Sequence, residues 1–125
     1  MYQWGYTPVL AQNGEEAWQI LSGESPPRMV LLDWTMPRME GPEVCARIRG
    51  SDNGAFTYVV FLTAKSGEAA LKEAIESGAD DFITKPVKQI DLQFRLEKGR
   101  RVVELYDQLA SAKQEINSLK QSLEV

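Results

Sequence analysis

Short apolar runs alternate with amphipathic stretches along most of the chain. Residues 7–12 (TPVLAQ), 29–32 (MVLL), 58–62 (YVVFL) and the pair Phe82 and Ile83 are short and largely apolar, the pattern of strands buried on both faces. Between them apolar residues recur at helical spacing. Asn13 stands as an N-cap three places before Glu16, and Ala17, Ile20 and Leu21 then mark one helical face. Gly41 and Pro42 open a second helix through Val44 and Ile48, proline being tolerated in a first turn because its missing N–H would have no helical acceptor there. Residues 68–77 form a third helix, stopped by Gly78. Strands joined by helical crossovers predict a parallel sheet covered on both faces, the doubly wound α/β class.

From about Ile90 the pattern changes to one long helix without turn signals. Val102, Leu105, Leu109, Ala112, Ile116, Leu119 and Leu123 are separated alternately by three and four residues, which is a heptad seam. Val102, Leu109, Ile116 and Leu123 then occupy a, and Leu105, Ala112 and Leu119 occupy d. β-Branched residues at two a positions with leucine at most d positions favour a parallel pair, in which Glu115 at g meets Lys120 at e of the other helix. The plainer alternative is that these residues cover the domain's own surface. The expected organisation is a globular domain over 1–98 and a coiled-coil stalk over 99–125.

Composition narrows the chemistry. Across 125 residues, 43% hydrophobic and 26% charged are the proportions of an ordinary globular domain, and no apolar stretch approaches a membrane span. The first residues, MYQWGYTPVL, lack the basic and apolar regions of a signal peptide, and the single Cys45 has no partner for an internal disulfide. A cytoplasmic location is expected. A net charge of −4 offers no basic surplus for phosphate backbones, so direct nucleic-acid binding is not expected. There is no histidine, which excludes Ser-His-Asp and Cys-His catalysis, His-ligated zinc and a phosphohistidine on this chain.

In an open parallel sheet, ligands gather at the carboxyl ends of the strands. Three predicted strands end there in reactive groups: Asp33 after MVLL, Thr63 after VVFL and Lys85 just beyond DFIT. An unpaired buried carboxylate costs several kcal/mol, so Asp33 must either reach water or have something to bind. Singly, each group has a plain structural reading as a strand-end acid, a turn threonine or a solvated lysine. Thirty residues separate Asp33 from Thr63, and twenty-two separate Thr63 from Lys85. With GYTPVLAQNGEEAWQIL, the DWTMPRMEG segment holding Pro37 and Gly41, the LTA triplet ending at Ala64, and SGADDFITKP ending in Lys85 and Pro86, this spacing resembles the receiver domain of two-component response regulators. The resemblance runs from about Trp4 into the last helix.

That resemblance implies a CheY-like, flavodoxin-like fold and a signalling role rather than a classical enzyme. Asp33 would accept a phosphoryl group from the phosphohistidine of a sensor histidine kinase or phosphotransfer protein, forming an acyl phosphate by self-catalysed transfer. A carboxylate attacks phosphorus only where cations and donors screen the incoming oxygens. Lys85 would supply charge, Thr63 a hydroxyl donor, Ala64 space, and the Thr35 backbone carbonyl, with Asp33, a ligand to Mg²⁺. Lys85-Pro86 would be cis. Thr63 and the Phe82 ring would form the switch. Two other phosphoryl- or flavin-handling folds are set aside: haloacid-dehalogenase-like phosphatases want a second acid where Thr35 stands, and flavodoxins want a glycine-rich phosphate loop after their first strand.

The sequence also departs from the family. Receivers begin with a central strand ending in an acidic pair, in sheet order 2-1-3-4-5, whereas TPVLAQ matches their second strand and YQWGY the end of their first helix. The acids before Asp33 are Glu15, Glu16 and Glu24, and the first two suit the opening turn of a helix. Mg²⁺ draws most of its attraction from carboxylates, so binding should be weak or absent, Asp33 should pair with Lys85, and phosphorylation should be impaired. The exposed edge of the strand before Asp33 must be closed, exchanged with a partner or covered by another segment. The expected function is reception in a phosphorelay, with a homodimeric helical stalk leading to an output domain beyond Val125. A receiver-like dimerisation scaffold that is never phosphorylated is the alternative.

Overall fold

The computed structural model describes residues 4–51, 54–64 and 67–123. The elements run α1 (Gly14–Leu21), β1 (Met29–Asp33), α2 (Gly41–Arg49), β2 (Tyr58–Thr63), α3 (Glu68–Glu76), β3 (Asp81–Thr84) and α4 (Gln89–Leu123). The three strands form one parallel sheet in the order β1-β2-β3, with Leu31 opposite Val60 and Phe61 opposite Phe82.

Period-two alternation in β2 divides the core. Val59 and Phe61 face a cluster with Leu32, Val44, Cys45 and Ile48, which α1 and α2 cover; Tyr58 and Val60 face Ile83 on the opposite side, where Leu92, Val102 and Val103 of α4 close the layer. All four of these β2 residues are buried, as a strand sandwiched between helical layers requires. Gly99 lets α4 lie close to the sheet: a β-carbon there would come within 2.7 Å of the Tyr58 ring and 2.8 Å of the Met29 sulfur. Asp81 ties the same helix to β3, pairing with Arg95 at 3.0 Å and Lys98 at 3.2 Å.

Asn13 caps α1 as its sequence position suggested, its side chain accepting from the Glu16 N–H at 2.9 Å. Glu16 reaches back to the N–H of Gln12 at 3.3 Å, one residue short of the usual capping-box partner. Arg49, at the end of α2, has a role the sequence did not signal. It donates to the carbonyls of Gly78, Gly54 and Thr57 and to Asp80, while Asp80 also accepts from the N–H of Val59. One guanidinium thereby joins α2, the loop before β2 and the turn before β3.

Two expectations need correction. Residues 7–12 form no strand, although their composition suits one. Among the described residues β1 is paired on one side only, with β2, so no strand lies where TPVLAQ could hydrogen-bond, and β-propensity without a ladder partner does not make a strand. Val102, the first position of the expected seam, is packed on the sheet. The seam then emerges: Leu105, Leu109, Ile116, Leu119 and Leu123 are each more than half exposed. Tyr2 and Gln3 of YQWGY lie outside the described residues, and residues 4–6 are not α-helical. No described helix is long and apolar enough to cross a membrane.

Tyr58 is 3% exposed, and its hydroxyl has no hydrogen-bond partner among the described residues. Burial, with Asp81 and Asp80 adding to it, pushes the phenol up to about 12. An acid whose folded pKa is raised favours folding fully below its unfolded pKa of about 10 and loses that contribution as pH rises through the folded value. Tyr58→Phe removes an orphaned polar group and is expected to be neutral or stabilising by about 1 kcal/mol near neutral pH. In urea titrations from pH 9 to 12, the wild type should lose stability progressively while the variant is spared that part of the loss.

Candidate functional site at the carboxyl edge of the sheet

The three strand ends are set side by side by the register. Asp33 closes β1, Thr63 closes β2, and Lys85 follows β3; because β2 is central, Thr63 lies between the other two ends. Backbone hydrogen bonds extend this alignment past the strands, from the N–H of Trp34 to the Leu62 carbonyl at 2.9 Å and from the N–H of Lys85 to the Thr63 carbonyl at 2.7 Å. Lys85-Pro86 is cis, as the resemblance implied.

Lys85 Nζ donates to Asp33 Oδ2 at 2.6 Å, with both side chains about 40% exposed. The other carboxylate oxygen accepts from the N–H of Thr35 at 3.2 Å. This charge-assisted pair at the water boundary answers the question raised by an acid at the end of an apolar run, since neither charge is buried alone. Thr63 is 2% exposed and is held in contacts of its own. Phe82 is half-buried against the α1 and α2 side of the core. The small Ala64 is exposed.

The loop after Asp33 is fixed from below. Trp34 is buried with its ring 4.9 Å from that of Phe61, and the N–H of Gly41 donates to the Trp34 carbonyl at 3.0 Å. A β-carbon at Gly41 would meet the Asp33 carbonyl oxygen at 2.7 Å and the Phe61 ring at 2.9 Å, so glycine is needed for α2 to start this close to the acid. Sequence reading found Gly41 as a helix opener; that its role is close approach to Asp33 depends on a tertiary contact.

The donor set does not fit Mg²⁺. Octahedral oxygen coordination built on carboxylates would find Asp33, already paired with Lys85, and the backbone carbonyl of Thr35. Among the described residues no group of three or more acids or other ligating side chains is close enough to hold a metal. Glu16 is engaged at the α1 cap, and Glu15 lies 3.7 Å from Arg38.

Residues 1–97 match the response regulator receiver domain family. The chain is 30% identical over 94 residues to chemotaxis protein CheY1 of Helicobacter pylori, covering 74% of this chain and 76% of that protein. It is 34% identical over 107 residues to response regulator MprA of Mycobacterium ulcerans, covering 86% of this chain but 45% of the relative. Among solved structures, the signal receiver domain of a signal transduction histidine kinase from Syntrophus aciditrophicus superposes with a TM-score of 0.69 at 32% identity, over 82% of this chain and 75% of that one. The receiver domain of the Pseudomonas aeruginosa sensor histidine kinase PA1611, solved with magnesium in its active site cleft, shares the fold with a TM-score of 0.69 at 23% identity, over 82% of this chain and 81% of that one. The aligned strand ends and this match over most of its length agree: the chain belongs to the response regulator receiver domain family of two-component signalling.

Proposed function

We propose that the chain receives a phosphoryl group on Asp33 and passes the resulting change to α4. A phosphohistidine on a sensor histidine kinase or phosphotransfer protein would present phosphorus to a carboxylate oxygen of Asp33. The P–O bond forms as the N–P bond breaks, and the electron pair leaves on the imidazole nitrogen. Lys85 screens the phosphoryl oxygens, Thr63 donates its hydroxyl to one of them, and Ala64 leaves room for the group. Movement of Thr63 toward the phosphoryl group vacates space for the Phe82 ring, which links the chemistry to the β3 edge of the sheet, where α3 and α4 lie on its two faces. The supporting observation is the 2.6 Å contact between Lys85 and Asp33 at the carboxyl edge of the sheet.

That contact also limits the reaction. With one carboxylate at the site and a poor donor set for Mg²⁺, the incoming charge is screened mainly by Lys85, so transfer to this chain is slow. Intact-mass spectrometry after incubation with acetyl phosphate and Mg²⁺ tests the assignment. A faint phosphoryl adduct that disappears in Asp33→Asn supports it; an adduct of equal size in that variant overturns it.

The receiver portion is assigned to 1–98 and the stalk to 99–125, whose first residues, Gly99 to Val103, still lie on the sheet, with a homodimer formed through the stalk, an output domain beyond it and the cytoplasm as its setting. The five outward-facing apolar residues between Leu105 and Leu123 support helix pairing, and they favour equally the second reading, a scaffold that dimerises without phosphorylation. Ile116→Asp buries charge at an a position, at a cost of several kcal/mol. Sedimentation should show the wild type as a dimer at micromolar concentration and the variant as a monomer. A monomeric wild type would remove the stalk from both readings.

A further inference from the structure

α4 has two faces. One lies on the sheet and is formed by Leu92, Leu96, Gly99, Val102 and Val103. The other carries Ile90 and Phe94, 69% and 62% exposed, and then the exposed seam residues from Leu105 to Leu123. Successive residues of an α-helix are turned about 100° from one another, which sets the centres of these two faces about 140° apart. Phe94 precedes Leu105 by eleven residues, about three helical turns, so it stands in line with the seam. The large apolar side chains that the sheet leaves uncovered thus form one line along the helix. Lys98 and Arg101 interrupt it, and Lys98 is drawn toward β3 by Asp81 at 3.2 Å.

The helix runs opposite to the strands. It starts beside the carboxyl edge after Lys85, and Gly99 meets Met29 and Tyr58, the first residues of β1 and β2. At the amino edge Tyr106 packs against Phe56 with 5.4 Å between ring centroids, and Asp107 pairs with Arg28 at 2.8 Å. These contacts fix the rotation of α4 where it leaves the domain. Every described residue from Asp107 onward is exposed, so the free part projects from the end of the sheet opposite Asp33, and no described element of its own chain covers the seam.

We infer that a second copy covers this whole face of α4, Ile90 and Phe94 included, so that two parallel α4 helices stand back to back between two receiver domains. The inference rests on the stalk homodimer proposed above and adds where the domains lie; it does not require phosphorylation. A second copy is the occupant because the face is self-complementary: the heptad spacing repeats to Leu123, and Glu115 at g meets Lys120 at e of an identical helix in register. The layers then run sheet, helix, helix, sheet. Adjacent layers are about 10 Å apart, which puts the two sheets about 30 Å from each other. The outer face of each sheet carries α1, α2 and α3, and both Asp33 sites lie at the end remote from the free stalk, each open to its own phosphoryl donor.

The test uses the full chain with single added cysteines, the native Cys45 being buried at 0% exposure. A short bismaleimide should join copies carrying Phe94→Cys or Leu109→Cys, and should leave Leu71→Cys, on α3, as a monomer on a denaturing gel. Spin labels at Lys72→Cys, also on α3, should lie about 50 Å apart or more, the sum of five layer spacings. Ile116→Asp should abolish both signals. Arg101→Leu, which closes the break in the apolar line, should lower the dimer dissociation constant at least about threefold. Coupling at Leu109→Cys without coupling at Phe94→Cys would leave the stalk dimer standing and overturn this placement. Coupling at Leu71→Cys, or a label distance below about 35 Å, would overturn it too, because the α3 layers would then be in contact. Coupling at neither α4 position, with a monomer in sedimentation, would remove the stalk dimer itself.

Discussion

Fusing an apolar strand that ends in two acidic residues ahead of Met1 should raise phosphoryl labelling of Asp33 by more than tenfold, equivalent to about 1.4 kcal/mol or more off the barrier. The reason lies in the charge balance at the sheet edge. Among the described residues Asp33 is paired with Lys85 at 2.6 Å, and no cluster of acids can hold a divalent ion. Two added carboxylates beside Asp33 would supply the hard oxygen ligands that Mg²⁺ requires, and the metal would add its charge to that of Lys85 in screening the phosphoryl oxygens. Intact-mass spectrometry with acetyl phosphate, run with Mg²⁺ and with a chelator, reads the result. Labelling of the fused chain should depend on Mg²⁺ and vanish in Asp33→Asn. Stoichiometric labelling of the unfused chain would show that the metal ligands are adequate already, and no labelling after fusion would favour the scaffold reading.

Arg49→Met should cost about 3 kcal/mol of folding stability. The guanidinium satisfies three carbonyls, at 2.9 Å for Gly78, 2.6 Å for Gly54 and 2.7 Å for Thr57, and pairs with Asp80 at 2.8 Å. Methionine keeps much of the aliphatic volume but leaves these acceptors and one carboxylate uncompensated, and breaking a buried pair from one side costs about 3–5 kcal/mol. Arg49 and Asp80 are about a quarter exposed, so the lower end applies. Asp80→Asn should cost less, since an amide oxygen can still accept from the N–H of Val59. A urea titration with an unchanged slope and a lower midpoint checks the effect. In the double variant the two losses should fall short of additive by more than about 0.5 kcal/mol, and a loss under about 1 kcal/mol for Arg49→Met would mean that water replaces the guanidinium.

Lys85 and Asp33 were legible because their spacing carries them to strand ends, and strand ends follow from local patterns. Arg49 was not legible. Its partners lie five to thirty-one residues away, in turns whose carbonyls carry no signal in the side-chain code. Gly41 and Gly99 were likewise visible only as small residues, because the atoms that forbid a β-carbon belong to other elements.

The sequence by itself determined the alternation of strand and helix, the caps at Asn13 and Gly78, the parallel order of the reactive strand ends and the seam along α4. Each of these follows from local spacing, which needs only the 2.0 and 3.6 residue periods and the turn residues between them. Tertiary structure alone decided that residues 7–12 are not a strand and that Val102 belongs to the core. It also decided that the guanidinium of Arg49 joins α2 to the turns before β2 and β3. The physical reason is common to all three: a strand exists only where another backbone offers hydrogen bonds, and burial or ionic pairing exists only where distant elements supply the second surface or the opposite charge.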